Sequence, residues 1–306
     1  MPFMKRIITL ESRNASMNGF IADFFTKLRE AGIQALLVKG QGIAQCYERP
    51  MWRAAGDVDL LLDSDSYEKA KVFLSPMASA VEGEYIRDKH LGMTIDSWTV
   101  ELHGRLYCGL SSRIEKELDD VQSSTFAVGK VRSWENGNTQ VPLLPAEDDA
   151  FYVFTHILQH FYKGGIGLRQ ISDWCRLLWT YREEIDATKL EGHIRRARLE
   201  TAWRTFAAFA VDYLGAPTDA IPLYSPATKW KRRANKVCSF VLQVGNFGHK
   251  RDSSYYNKYP YLIRKTISLS RRLSDLLRHA RIFPLDSLCF FPSIMINGLR
   301  SAARGE

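Results

Sequence analysis

Apolar residues recur at helical spacing over residues 14–31, where Met17, Phe20, Ile21, Phe24, Phe25 and Leu28 share a face and Gly32 ends the run. A short apolar strand follows at Gln34–Val38. Lys39-Gly40-Gln41-Gly42 then reads as a turn, leading into a short helix at 43–48. Asp57–Leu62 is a buried strand, and Asp65–Ala78 is helical. Strands near Thr94–Ile95 and Trp98–Leu106 flank an Asp96-Ser97 turn. Arg113–Asp120 predicts a helix, and residues 124–143 read as β-rich, with turns at Gly129 and Asn136-Gly137.

The texture changes at Pro145. Pro145-Ala146-Glu147-Asp148-Asp149 opens a helix with acids in its first turn. Helices are then expected at 146–162, 168–182, 187–214, 228–244 and 259–281. The expected organisation is an α+β domain over residues 1–144 and an all-α domain over residues 145–306.

Composition adds limits. The chain has 306 residues, 45% hydrophobic and 25% charged. That is enough for two domains with a sizeable core. No stretch approaches the roughly 18 apolar residues of a membrane span. The five cysteines are scattered and form no CxxC pair. They suggest neither a disulfide framework nor a zinc knuckle, and a reduced cytoplasmic protein is the expectation. The net charge of +8 is uneven: residues 226–306 hold 16 Lys and Arg against 4 Asp and Glu, and the rest hold 26 against 30. The basic C-terminal region is either a set of solvated helix faces or a platform for an anionic partner such as nucleotide, nucleic acid or acidic lipid.

The chemistry concentrates in Arg53-Ala54-Ala55-Gly56-Asp57-Val58-Asp59-Leu60-Leu61-Leu62. Strand side chains alternate, so Asp57 and Asp59 point to one face. Two adjacent carboxylates repel unless a positive charge sits between them, and oxygen donors favour Mg²⁺. Two-metal phosphoryl transfer also needs a third carboxylate, backbone N–H groups at a turn, and cations. Glu101 supplies the first, on the face of its strand away from Trp98, Val100 and Leu102. Lys39-Gly40-Gln41-Gly42 supplies a phosphate cradle. Arg53, four residues before Asp57, supplies reach over the site.

Leu37-Val38-Lys39-Gly40, with Tyr47-x-x-Pro50-x-x-Arg53-x-x-Gly56-Asp57-x-Asp59-Leu60-Leu61, resembles the uncharacterised bacterial nucleotidyltransferases of the DNA-polymerase-β-like superfamily. Glu101-Leu102-His103 looks like their third-acid strand. Gly164-Gly165-Ile166-Gly167-Leu168-Arg169-Gln170-x-x-Asp173-Trp174 looks like an element of their helical half. The resemblance implies a minimal nucleotidyltransferase fold, a mixed sheet flanked by helices. It also implies Mg²⁺ (or Mn²⁺) on Asp57, Asp59 and Glu101, and a triphosphate held by Lys39, Gly40 and Arg53. Gln41 stands where many superfamily members carry a phosphate-contacting serine or a glycine.

The expected activity is transfer of a nucleoside monophosphate, AMP by default, from an NTP to an acceptor hydroxyl on a small molecule, peptide, protein or RNA. Two competitors are a catalytically silent nucleotide- or nucleic-acid-binding protein and a regulatory partner protein. Other features stay open. His103 either orients Glu101, touches phosphate or is structural. His156 and His160 have zinc-compatible i, i+4 spacing without the glutamate of HExxH. Arg169 either holds nucleotide or acceptor at a helix start or pairs with Asp173. Gly245-Asn246-Phe247-Gly248-His249-Lys250-Arg251 is either a closing loop or a plain connection. Ile282–Leu299 either lies on an acidic membrane surface or docks on the helical domain, with Pro284 and Pro292 expected to break any long helix.

Overall fold

The computed structural model describes residues 2–245 and 259–303. The expected glycine loop therefore lies outside the described residues after Gly245. Two compact units form. The first takes Met1–Tyr107 and Leu118–Ala150; the second takes Cys108–Glu117 and Phe151–Glu306.

The first unit is a mixed sheet with helices. Its strands are β1 (Ala35–Val38), β2 (Asp57–Leu62), β3 (Ala80–Val81), β4 (His90–Ile95), β5 (Trp98–His103), β6 (Arg132–Asn136) and β7 (Thr139–Leu143). They lie in the order β3-β4-β5-β2-β1-β7-β6. β2 is parallel to β5 and antiparallel to β1. This is the α+β fold expected from the sequence.

Alternation explains the two faces of the sheet. Val58, Leu60, Leu62, Val100 and Leu102 turn to one side. There they bury against Met17, Ile21, Phe24, Phe25 and Leu28 of the first helix, α1 (Pro2–Glu30). Each such side chain contributes about 1.5–3 kcal/mol. This core can tolerate mutually repelling groups on the opposite face.

Several boundaries differ from expectation. The helix α2 (Gly40–Ala44) begins inside the expected turn, because Lys39 adopts φ 56° and hands β1 directly to a helix start. A third helix, α3 (Ser64–Leu74), is shorter than expected. Pro76 lies in the 3₁₀ turn, Ser75–Met77, that follows it. β4 starts at His90 and β5 stops at His103. Residues 124–128 are helical, not β. They complete α4 (Ser112–Val128), whose buried Ile114, Leu118, Val121 and Thr125 keep helical spacing until Gly129, at φ 68°, ends it.

The second unit is helical: α5 (Ala146–Lys163, from Phe151 on), α6 (Leu168–Thr180), α7 (Ala187–Arg196), α8 (Glu200–Leu214), α9 (Thr228–Val244), α10 (Tyr261–Ala280) and α11 (Pro284–Ala303). Its core is aromatic, with Trp203 4.6 Å from Phe154 and 4.9 Å from Trp174, ring to ring. The helix expected over 187–214 is two, because Arg198 at φ 56° breaks it. Pro284 and Pro292 do not break α11. Pro284 takes its first position, where no N–H is needed, and Pro292 lies within it. Among the described residues, no helix is long and apolar enough to cross a membrane.

Candidate active site

Parallel pairing of β2 with β5 sets the site. Asp57 lies beside Thr99 and Asp59 beside Glu101, so all four share one face. One carboxylate oxygen from each of Asp57, Asp59 and Glu101 lies within 4.8 Å of the others. Three hard oxygen donors at this separation suit a divalent cation such as Mg²⁺. The alternation visible in the sequence thus brings the acids together, with Asp59 buried and the other two half-exposed.

Two nitrogen-bearing side chains lean on the acids. Lys39 Nζ donates to Asp59 Oδ1 at 3.0 Å. His103 Nε2 sits 2.9 Å from the same oxygen and 3.5 Å from Glu101 Oε2. His90 Nε2, which the sequence reading missed, lies 3.2 Å from Glu101 Oε2. A signal for it existed. A two-residue turn at Asp96-Ser97, both at positive φ, fixes the β4–β5 register and puts His90 opposite His103.

The electrostatics follow from these contacts. Burial, then the charges of Asp59 and Glu101, push the Asp57 carboxyl above its ordinary value. Burial also works against a charge on Asp59, but Lys39 and His103 outweigh it and hold that carboxyl low. The hydrogen bonds from His103 and His90 depress Glu101 strongly. Burial opposes charge on His103, yet its bonds to Asp59 and Glu101 raise it.

The glycine turn lies against the same strand. Gly40 is at φ 40°, and a Cβ there would meet the carbonyl oxygen of Asp57 at 3.3 Å. Gln41 is buried rather than phosphate-facing. Its Nε2 donates to Asn14 Oδ1 at 3.0 Å, and Asn14 Nδ2 donates to the carbonyls of Met51 and Arg53 at 2.7 and 3.0 Å. The residue that departs from the serine pattern thus helps to fix the backbone at Arg53. Arg53 itself is half-buried and Gly56 exposed.

The remaining candidates belong to the helical unit. Arg169 is exposed at the second position of α6 in the helical unit, where Gln170 Oε1 accepts from Gly167 N. His156 and His160 bring their Nε2 atoms to 2.9 Å. They belong to neither of the two groups of three or more potential metal ligands among the described residues.

A family model described as an uncharacterised nucleotidyltransferase matches residues 3–215. The basic segment from 226 onward lies beyond that match. No curated protein matches the chain.

Proposed function

Because the chain belongs to this nucleotidyltransferase family, we propose that it transfers a nucleoside monophosphate, with ATP as the default donor, to an acceptor hydroxyl and releases pyrophosphate. Asp57, Asp59 and Glu101 would hold Mg²⁺ or Mn²⁺. A divalent cation bound there supplies charge neutralisation at the reacting phosphate. The observation that carries this reading is the convergence of the three carboxylates on one sheet face, beside a glycine turn in contact with β2.

The residues divide the work. The α2 start at Gly40 offers backbone N–H groups to the triphosphate. Lys39, held beside Asp59, offsets charge on the leaving pyrophosphate, and Arg53 assists from the rim. Glu101, or the cation it would share with Asp57 and Asp59, helps the acceptor hydroxyl lose its proton. The helical unit selects the acceptor, and we place the protein in the cytoplasm.

A second reading is a silent nucleic-acid binder. It is favoured by a groove of about 620 Å³ in the helical unit, lined by Arg232, Lys236, Arg278 and Arg281. Binding that weakens steeply with salt and ignores Mg²⁺ would favour it.

Incubation with each α-labelled NTP, Mg²⁺ or Mn²⁺ and cell extract tests the transferase reading. Label on a discrete species supports it. No label from any NTP overturns it.

A further inference from the structure

His90 and His103 are paired across β4 and β5 on the face that carries Glu101, with their rings 4.8 Å apart. One nitrogen from each and one Glu101 oxygen lie within 4.8 Å of one another. This is a two-nitrogen, one-oxygen set. It differs in kind from the all-oxygen set of Asp57, Asp59 and Glu101, and the two share only Glu101.

Ligand chemistry separates the sets. Mg²⁺ prefers oxygen and keeps its waters, whereas imidazole suits Zn²⁺, Co²⁺ and similar transition ions. All three groups of the nitrogen set are half-buried, with side-chain exposures of 25%, 28% and 13% for His90, Glu101 and His103. They are reachable from solvent yet fixed by strand pairing rather than by loops. His90 Nε2 lies 3.2 Å and His103 Nε2 3.5 Å from the same Glu101 oxygen, while the nearer partner of His103 is Asp59 Oδ1 at 2.9 Å.

We propose that His90, Glu101 and His103 form a second cation site, selective for a nitrogen-preferring divalent ion such as Zn²⁺ or Co²⁺ over Mg²⁺. It borders the oxygen site and shares Glu101 with it. Its part in catalysis rests on the transferase reading above; its ability to bind metal does not. Were both sets to hold ions, Glu101 would contribute to each, and transition metals would act at concentrations below those of Mg²⁺.

Co²⁺ is the probe, because imidazole ligation gives it a visible absorption band. Equilibrium dialysis and absorption spectra are recorded on the full chain with Co²⁺ and then with Zn²⁺ as competitor. One equivalent of Co²⁺ is expected to bind at micromolar concentration, displaced by Zn²⁺ but not by millimolar Mg²⁺. His90→Gln is expected to weaken it at least about tenfold, and Asp57→Asn to leave it within about threefold.

Absence of bound Co²⁺ in the wild-type chain overturns the proposal whatever the variants do, and leaves His103 as a built-in counter-ion. A band that survives in His90→Gln but is lost in His156→Gln assigns the metal to the other histidine pair, and also overturns it. Binding as expected in a chain that labels no acceptor would sink the transferase reading while leaving this site standing. Label transfer with no Co²⁺ bound would do the reverse.

Discussion

Lys39 Nζ lies 3.0 Å from Asp59 Oδ1, and the Asp59 side chain is only 3% exposed. A nearly buried carboxylate thus leans on a residue that itself sits at positive φ. Removing one partner of a buried ion pair exposes the other's desolvation cost. Lys39→Met should therefore lower stability in metal-free buffer by about 2 kcal/mol. Mg²⁺ should restore part of that loss by binding the folded state. Chemical denaturation with and without Mg²⁺ measures both effects, and an equal loss in the two buffers would contradict the shared-charge view.

Gly40→Ala should cost about 1–2 kcal/mol, because a Cβ at φ 40° is strained and crowds the Asp57 carbonyl. The strain falls on the turn that would hold phosphate. KM for NTP should therefore rise more than kcat falls. The same stability loss with an unchanged KM would remove the turn from nucleotide binding.

Asn14→Leu should remove one hydrogen bond each from the Met51 and Arg53 carbonyls and from the Gln41 amide, which keeps Met17 Sδ at 3.5 Å. An orphaned buried group costs about 1–3 kcal/mol. Thermal melts and NTP binding check it. A variant as stable as wild type would mean that water replaces the asparagine.

Burial pushes the Asp286 carboxyl from its ordinary 3.8 up to about 6, with Arg233 and Arg113 opposing. Among the described residues its Oδ2 has no hydrogen-bond partner. A group raised in the folded state leaves full stability below its unfolded value and withdraws it as pH climbs through the folded one. The penalty therefore develops between about pH 4 and pH 6. Asp286→Asn should stabilise the chain by about 1–2 kcal/mol at pH 8 and by nothing at pH 3.5, provided the fold survives there. Unfolding curves at the two pH values decide. A gain at both would point to repacking rather than charge.

The sheet and its acids were legible because period-two alternation is local: Asp57, Asp59 and Glu101 each carry their face in their neighbours. Cross-strand register is not local, so His90 stayed hidden in the polar run Arg87-Asp88-Lys89-His90 until the Asp96-Ser97 turn fixed its partner. Gln41 looked like a loss of phosphate contact, but burial against Asn14 gives it a structural use. The helix break at Arg198 had no glycine or proline to announce it, and the β-rich look of residues 124–128 came from Thr125, Phe126 and Val128, of which α4 buries only Thr125 and leaves Val128 exposed.

The measurement that bears most directly on the central claim is label transfer from α-labelled ATP with Mg²⁺ and extract, comparing wild type with Asp57→Asn/Asp59→Asn. Asp59→Asn removes the partner of Lys39 and His103, so the double variant should lose some thermal stability without metal while remaining folded, which circular dichroism checks. Transfer should fall at least about 10³-fold, since loss of the cation removes several kcal/mol of transition-state stabilisation. A folded double variant that still transfers label within about tenfold of wild type would contradict the claim that these carboxylates carry the chemistry.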